Sequence, residues 1–309
     1  MHLLLILALS VAAHATRIRF HDQPCPLDPD DMVRIYEQVS ANTHGGYDSD
    51  GATYSTEGQF RTYAVATCTR SLFSLYGGDM SMQLDDATRK RLARVLAETR
   101  ATVLEDPADP KVWERYRIAA AMYEALGRGP LFLADLYLEA SWTARDEAVG
   151  VYVALRGPAD ARQALTLGEQ ELQRTDLTPA QRHTLIYNMA RIAERGGFTA
   201  ERDAWLDRFA ALDDLSPAEQ AALERFREAA GRIEPALQDR AIDAYRAALA
   251  DDSLQGEPRL RAAYLLADLL RRRGRLDEAM GWFQVVLSDD RTPRELREMA
   301  LFLSRELSG

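Results

Sequence analysis

Apolar residues after position 85 recur with the period of an α-helix. The first such face consists of Leu92, Val95, Leu96, Thr99 and Val103. Spacings of three and four residues place these side chains on one side of a helix. Asp109 and Pro110 predict the start of a second helix that runs to Gly127, because proline is favoured at the first helical position and glycine at the end. We therefore expect a mainly α domain over residues 81–309.

One helix-start motif occurs three times in the second half of the chain. Each copy has a hydroxyl residue, a proline, and a Glu or Gln three positions after the hydroxyl, which is the pattern of a capping box. The copies are Thr178–Gln181, Ser216–Glu219 and Thr292–Glu295, at spacings of 38 and 76 residues. A period of this length predicts antiparallel helix hairpins stacked side by side, clearest over 178–309, with the last helix as a cap. The alternative is an irregular hairpin stack without repeat ancestry.

The segment 261–287 resembles one tetratricopeptide repeat. The residues at the packing positions of that repeat are Leu266, Ala267, Leu270, Gly274, Ala279 and Phe283. Small residues let two helices approach, and the glycine ends the first of them. The resemblance implies that Ala279 lies in a tight contact between two helices, and that the array presents a surface to a protein or peptide partner.

Three residues of this repeat are candidates for binding the partner: Tyr264, Asp268 and Arg271. The arginine-rich run 271–275 could hold an acidic peptide. Cations are favoured at a helix C-terminus by the helix dipole alone, so a solvated helix end is the preferred interpretation of this run.

The first 80 residues have a different composition, rich in Gly, Asp, Thr and Tyr. Turn residues flank the strand-like segment 62–68, whereas the segment 32–39 fits either a helix or a strand. Asp48 and Asp50 beside Gly51 suggest a turn stabilised by aspartate side chains rather than a calcium loop, because the other ligands of such a loop are absent. We expect a small β-containing module over 16–80.

An N-terminal apolar run, Leu3 to Ala13, is too short to cross a bilayer but has the length of a signal-peptide core. Ala13 and Ala15 form a small-x-small cleavage pattern, so we expect a signal peptide over 1–15 and a mature start at Thr16. An uncleaved anchor or a buried first helix is the alternative. The prediction is export to a periplasm or the cell exterior. A formal net charge of −10 argues against nucleic-acid partners, and no other stretch predicts stable membrane insertion.

Several segments together resemble an uncharacterised bacterial family that joins a Cys-x-x-Cys…Cys-x-x-Cys zinc ribbon to tetratricopeptide-like helices. The matching segments are Cys25-Pro26, 42–50, 63–68 and 133–146. The family's activity is unknown, so the resemblance implies an architecture and no reaction. Here Asp28 and Ser71 stand where the second cysteine of each pair would be, which implies a degenerate ribbon over 16–80.

The two remaining cysteines, Cys25 and Cys68, match the first members of the two ligand pairs. A structural zinc site needs four ligands, and an exported protein meets an oxidising environment, so we predict a disulfide between them. The alternatives are two free thiols, or a zinc site that uses both cysteines with Asp28 and either His44 or His21.

No catalytic motif is present, and the lone His183 in an apolar helix face predicts a structural histidine. We expect no catalytic residue and no cofactor. The leading hypothesis is an exported, non-enzymatic protein-interaction module. A zinc-binding protein and an enzyme with an unrecognised carboxylate site are the alternatives.

Overall fold

A computed structural model describes residues 17–150 and 153–308, and most of these are helical, which confirms the predicted fold class. The predicted signal peptide, 1–15, and its cleavage point lie outside the described residues. Within the described part of the chain, no helix has both the length and the apolar character needed to cross a bilayer.

Short strands lie almost entirely in the N-terminal part. They are β1 (Arg17–Pro24), β2 (Met32–Ser40), β3 (Gly46–Tyr47), β4 (Thr53–Tyr54), β5 (Val65–Thr67), β6 (Ser74–Tyr76) and β7 (Leu155–Arg156). β1 and β2 form an antiparallel hairpin, β5 pairs antiparallel with β6, and β3 lies between antiparallel β4 and parallel β7. The ambiguous segment 32–39 is a strand, because Val33 and Ile35 alternate inward between exposed neighbours. The strand-like segment 62–68 is a strand only from Val65 onward, after a short helical turn.

Twelve α-helices occur among the described residues. They are α1 (Arg61–Ala64), α2 (Asp86–Val103), α3 (Val112–Ala125), α4 (Pro130–Val149), α5 (Pro158–Leu172), α6 (Pro179–Gly196), α7 (Thr199–Ala210), α8 (Pro217–Glu228), α9 (Glu234–Leu249), α10 (Gly256–Arg272), α11 (Leu276–Ser288) and α12 (Arg294–Ser308). A 3₁₀ turn, Gly77–Ser81, precedes α2, and a π-helical turn, Ala229–Ile233, joins α8 to α9.

The predicted helix starts are largely correct. In α6 the Thr178 hydroxyl accepts from the Gln181 amide and the Gln181 side chain accepts from the Thr178 amide, and α8 has the same box at Ser216 and Glu219. The Thr292 hydroxyl instead donates to the Val286 carbonyl at 2.6 Å. That bond ties the start of α12 to α11.

The second predicted helix begins later than expected. α3 starts at Val112 rather than directly after Asp109, because the carboxylate of Glu114 accepts from the backbone amides of Lys111 and Glu105, both at 2.7 Å. This carboxylate replaces the proline as the determinant of the helix start.

Helices adjacent in sequence pack as antiparallel neighbours from α2 to α4, from α5 to α7 and from α9 to α12. Ala279 and Phe283 are fully buried in α11, which packs on α10. The most extensive interface, however, joins α4 to α9, which are far apart in the sequence. The array is therefore not a stack in simple sequence order.

Helix α4 runs through the centre of the molecule. Its apolar residues lie in three hydrophobic clusters. Leu136, Ala140 and Ala144 belong to the first, Ala134 and Leu138 to the second, and Ala148 to the third. Apolar residues on several sides of α4 are therefore buried against neighbouring elements. The first of these clusters also contains Cys25, Cys68 and residues of α2 and α3, so the core of the N-terminal module continues past residue 80 into the helices.

Candidate functional site: a buried ionic cluster around residues 48–50

The turn between β3 and β4 is buried although it carries two aspartates. Asp48, Ser49 and Asp50 are at most 3% exposed. The Asp48 amide donates to the Ala52 carbonyl at 2.8 Å, and the Ala52 amide donates to the Asp50 carboxylate at 3.3 Å, so the predicted aspartate turn is present. Its main partners, however, are arginines from the helical array.

The turn can reach the helices because β3 approaches β7 at a glycine. Gly46 has a φ of +80°, and a Cβ there would lie 1.6 Å from the Leu155 carbonyl oxygen. Only glycine permits both this backbone conformation and this contact. The parallel pairing of β3 with β7 thus fixes the following aspartates against the helices.

Arg145 on α4 is the centre of the cluster and is fully buried. Its guanidinium donates to Asp48 at 2.9 Å, to Asp50 at 2.6 and 3.3 Å, and to Glu234 at 2.6 and 3.0 Å. One arginine therefore bonds to three carboxylates, and the charge-assisted bonds satisfy all of its donor groups.

Arg195, near the end of α6, holds the same turn from another side. Its Nε donates to Asp48 at 2.8 Å, and its terminal nitrogens donate to the carbonyls of Gly45 and Val153. Its guanidinium also stacks 3.8 Å from the ring centre of Tyr54, whose hydroxyl donates to Asp48 at 2.7 Å. Asp48 is thus bonded by two arginines and one tyrosine.

All three residues predicted to bind a partner lie in this cluster. The Tyr264 hydroxyl donates to the Ser49 carbonyl at 2.6 Å, the Asp268 carboxylate accepts from the Ser49 hydroxyl at 2.7 Å, and Arg271 donates to Asp268 at 2.8 Å. Each is at most 7% exposed. They bind a segment of their own chain, so in this structure they are not accessible to another protein.

The interpretation of the run 271–275 as a solvated helix end is wrong for its first two residues. Arg271 and Arg272 are buried and donate to the last carbonyls of α6, including that of Gly197 at 2.8 Å and that of Glu194 at 3.2 Å. The helix dipole argument applies, but to the C-terminus of a neighbouring helix as well as to their own. Arg273, by contrast, pairs with Asp239 at the surface.

A second pair of carboxylates completes the cluster beside a cavity of about 260 Å³. Glu194 pairs with Arg202 at 2.7 Å, and Glu234 begins α9 directly after the π-helical turn. The Oε2 atom of Glu234 is buried without a hydrogen-bond partner in the described structure. The cluster as a whole contains Asp48, Asp50, Glu194, Glu234 and Asp268 with Arg145, Arg195, Arg202, Arg271 and Arg272.

The pKa shifts in the cluster follow from burial and from the arginines. Burial would raise the pKa of Asp50, but Arg145 and Arg272 hold it below its ordinary value. At Glu194, burial again acts to raise the pKa, but Arg202 and Arg145 outweigh it and the pKa is lowered. At Glu234 burial prevails over Arg145 and raises the pKa to about 8. A proton on Oε2 would then be shared with Glu194, which accounts for the orphaned oxygen.

The predicted disulfide is present. Cys25 and Cys68 are bonded, with their Cα atoms 5.9 Å apart, and both are buried in the core that the β-strands share with α2 and α3. The hydroxyl of Ser71 lies 3.9 Å from the Cys25 sulfur. The disulfide joins the turn that follows β1 to the end of β5.

The alternative zinc ligands do not converge. Among the described residues, the one group of three potential ligands is Cys25, Asp31 and Cys68, whereas Asp28 and His44 are exposed outside it. The Asp31 carboxylate already accepts the backbone amides of Met32, Arg70 and Ser71. With both sulfurs in the disulfide, this arrangement is a structural turn.

His183 has the structural role that the sequence predicted. It is 6% exposed and lies between the carboxylates of Asp214, at 2.9 Å, and Glu219, at 3.1 Å. These contacts join α6 to the start of α8.

Sequence reasoning missed the cluster residues of α4, α6, α7 and α9, of which Arg145, Arg195 and Glu234 are the most buried. One signal was available: Arg145 stands among the alanines 140, 144 and 148 of an apolar helix, where a charge needs a buried partner. Nothing in the sequence alone identified Asp48 and Asp50 as that partner.

A row of aromatic rings, which we call the aromatic strip, consists of Phe20 and Tyr36 on the β1–β2 hairpin and Tyr63 on α1. The ring centres of Phe20 and Tyr36 are 5.9 Å apart, and those of Tyr36 and Tyr63 are 4.8 Å apart. Phe20 is 57% exposed and Tyr63 37%. The strip faces outward because Val33 and Ile35 occupy the inner face of β2.

In comparisons with known proteins, the chain matches no protein-family model, no curated protein and no solved structure. The resemblance to the zinc-ribbon family and to tetratricopeptide repeats stays a prediction.

Proposed function

We propose that the protein is an exported, non-enzymatic protein-binding module whose β-hairpin binds an extended, acidic segment of a partner protein. The observation that carries the proposal is the aromatic strip. Exposed clusters of large apolar side chains are typical of protein-interaction surfaces, and aromatic residues dominate their binding energy. Export is supported by the predicted signal peptide and by a buried disulfide, which forms in oxidising compartments.

The geometry of β1 favours an extended partner. Within the described residues β1 has one strand partner, β2, so its other edge presents backbone donors and acceptors. A free edge beside an apolar face suits a peptide that adds as a further strand. The charge of the hairpin favours an acidic one: Arg19 pairs with Glu37 and Arg34 with Asp22, which leaves Arg17 in excess, in a chain with a formal net charge of −10.

The rest of the molecule supports this surface. The disulfide joins the end of the hairpin to the core, and the aspartates of the β3–β4 turn are bonded into the helical array. The helices thus act as a rigid base for the hairpin, and the partner-binding role moves from α10 to β1 and β2.

A photo-crosslinking residue at position 20 in the exporting host tests the proposal. We expect a crosslink to one partner protein, mapped to an extended acidic segment. A synthetic peptide of that segment should bind the purified protein and lose at least tenfold in affinity with Phe20→Asp. The matched control is position 285 on α11, where Val285 is a similarly exposed apolar residue at 46%.

Two results would overturn the proposal. One is that position 20 crosslinks to no partner protein, either because it gives no crosslink or because it labels a second copy of the chain. The other is equal labelling of the same protein from position 285.

A further inference from the structure

A groove of about 420 Å³ lies between the β3–β4 region and the central helix α4. Its helical side is formed by Glu139 and Trp142, which are three residues apart and therefore on one face of α4. The opposite side is the loop that contains Ser55, Gly58 and Gln59. Its volume lies in the range typical of small-molecule sites.

The lining combines aromatic surface with neutral hydrogen-bonding groups. Trp142, Phe60 and Tyr76 supply flat apolar area. The exposed amide of Gln38 supplies a donor and an acceptor, and threonine hydroxyls of the lining supply more, whereas the Gln59 amide is bonded to the backbone of Ser55. A ligand that fits must therefore present apolar faces and many polar edges at once.

The charges of the groove are already compensated. Its charged lining residues are Arg61 and Glu139. Arg61 donates to Asp146 at 2.6 and 2.7 Å and to the Thr53 carbonyl at 2.8 Å. Burial raises the pKa of Glu139, whose carboxylate accepts from the Tyr76 hydroxyl at 2.8 Å. An anionic ligand would find Arg61 already paired with Asp146, which disfavours nucleotides and phosphorylated compounds.

One polar group on the lining residues lacks a partner. The indole N–H of Trp142 is buried and has no hydrogen bond within the described structure. A buried donor of this kind costs free energy until an acceptor reaches it. An oxygen atom of a ligand could supply the missing acceptor while an apolar face of the same ligand packs on the indole.

The loop that forms the wall opposite α4 has a cavity on each of its sides. A second cavity of about 300 Å³ lies on the other side of the same loop and shares Ser55, Gly58 and Gln59 with it. This second cavity reaches Asp146 and Val149 further along α4. From Glu139 to Val149 the helix rises about 15 Å, enough for more than one sugar ring.

We infer that this groove binds a neutral oligosaccharide, with Trp142 as the aromatic platform and the exposed amide of Gln38 as its main hydrogen-bonding group. Sugar rings combine apolar C–H faces with hydroxyl edges, which is the combination that the lining presents. This site is separate from the aromatic strip, and either proposal can fail without the other.

The test is titration of the full mature protein with three neutral tetrasaccharides, maltotetraose, cellotetraose and chitotetraose, followed by calorimetry and tryptophan fluorescence. We expect at least one to bind with a Kd between about 10 μM and 1 mM. Trp142→Phe keeps an aromatic ring but removes the indole N–H and part of the flat apolar area, and should weaken binding at least fivefold. Gln38→Ala, on an exposed side chain that the fold does not need, should weaken it by about threefold.

Trp282→Phe is the matched control, because Trp282 is half-buried on α11 and outside the groove. It should leave the affinity unchanged. The inference is overturned if none of the three sugars binds below about 10 mM, or if binding persists unchanged in both Trp142→Phe and Gln38→Ala.

Discussion

The β3–β4 turn and the β1–β2 hairpin lie close together in the sequence, but the turn buries charged side chains whereas the hairpin exposes an aromatic one. Asp48 and Asp50 are at most 2% exposed, whereas Phe20 is 57% exposed. The aspartates are inside because arginines of α4, α6 and α10 meet them there. The phenylalanine is outside because Val33 and Ile35 take the inner face of the hairpin, and its ring contacts Tyr36 on the outer face. Burial in this protein is decided by the available partner rather than by hydrophobicity alone.

The two regions are also held in different ways. A buried ionic cluster gives little net stability, because desolvation offsets much of the attraction, but it is intolerant of losing one member. The hairpin depends on a covalent link at one end and on surface ion pairs such as Arg34 with Asp22. Substitutions in the two regions should therefore differ sharply in cost.

The largest expected effect is that of Arg145→Met. Methionine is unbranched like the arginine stem, but it carries no charge. The substitution therefore leaves the carboxylates of Asp48, Asp50 and Glu234 without their shared arginine. Loss of one partner from a buried ion pair costs about 3–5 kcal/mol. Chemical denaturation should show a decrease of that size in the free energy of unfolding, or no folded protein.

Arg34→Met is the matched control on the hairpin. Arg34 makes two hydrogen bonds to Asp22, at 2.8 and 3.0 Å, but both side chains are about half exposed. Exposed ion pairs contribute little, so the melting temperature should stay within error of the wild type. Equal destabilisation by the two arginine variants would contradict the contrast between the regions.

Removing the disulfide is expected to have the next largest effect. The double variant Cys25→Ser with Cys68→Ser opens a link between residues 43 apart in sequence, which should cost about 2–4 kcal/mol. Because both cysteines lie in the core shared with α2 and α3, the loss should lower the global melting temperature. A variant that loosens only residues 17–80, with no global shift, would show instead that the module is independent of the helices.

The sequence predicted what local patterns encode. Helix periodicity, the boxes at Thr178 and Ser216, and the burial of Ala279 depend on residues close together in the chain. The disulfide was predicted from the cysteine positions that the family resemblance implies. Interactions of long sequence separation were not predictable: Ser49 bonds to Asp268, 219 residues away, and no local pattern specifies that pairing.

The burial of the candidate partner residues was not predictable for the same reason. Tyr264, Asp268 and Arg271 stand out in the sequence as polar residues on a helix face, and such residues normally face solvent. Their actual neighbour comes from the first 50 residues. A polar stripe on a helix of an array can thus be an internal docking site, and only tertiary structure distinguishes the two cases.

The smallest expected effect is that of Glu234→Gln, and it depends on pH. The pKa of Glu234 rises from an ordinary 4.5 to about 8 on folding, chiefly through burial and against the pull of Arg145. Between these two values the folded state binds more protons than the unfolded state, so this group's contribution to stability is present below pH 4.5 and is lost as pH rises to 8. Glutamine keeps the shape and a donor toward Glu194 but cannot ionise.

The variant should therefore melt at nearly the wild-type temperature at pH 5 and at a higher temperature than the wild type at pH 9. Glu194, whose pKa is lowered, loses its contribution only below pH 4.5 and does not enter this window. Glu98→Gln, at an exposed position of α2, is the control and should follow the wild type at both pH values. Thermal melts from pH 5 to 9 measure the difference. Parallel curves for Glu234→Gln and the wild type would mean that Glu234 is already ionised in the folded protein throughout this pH range.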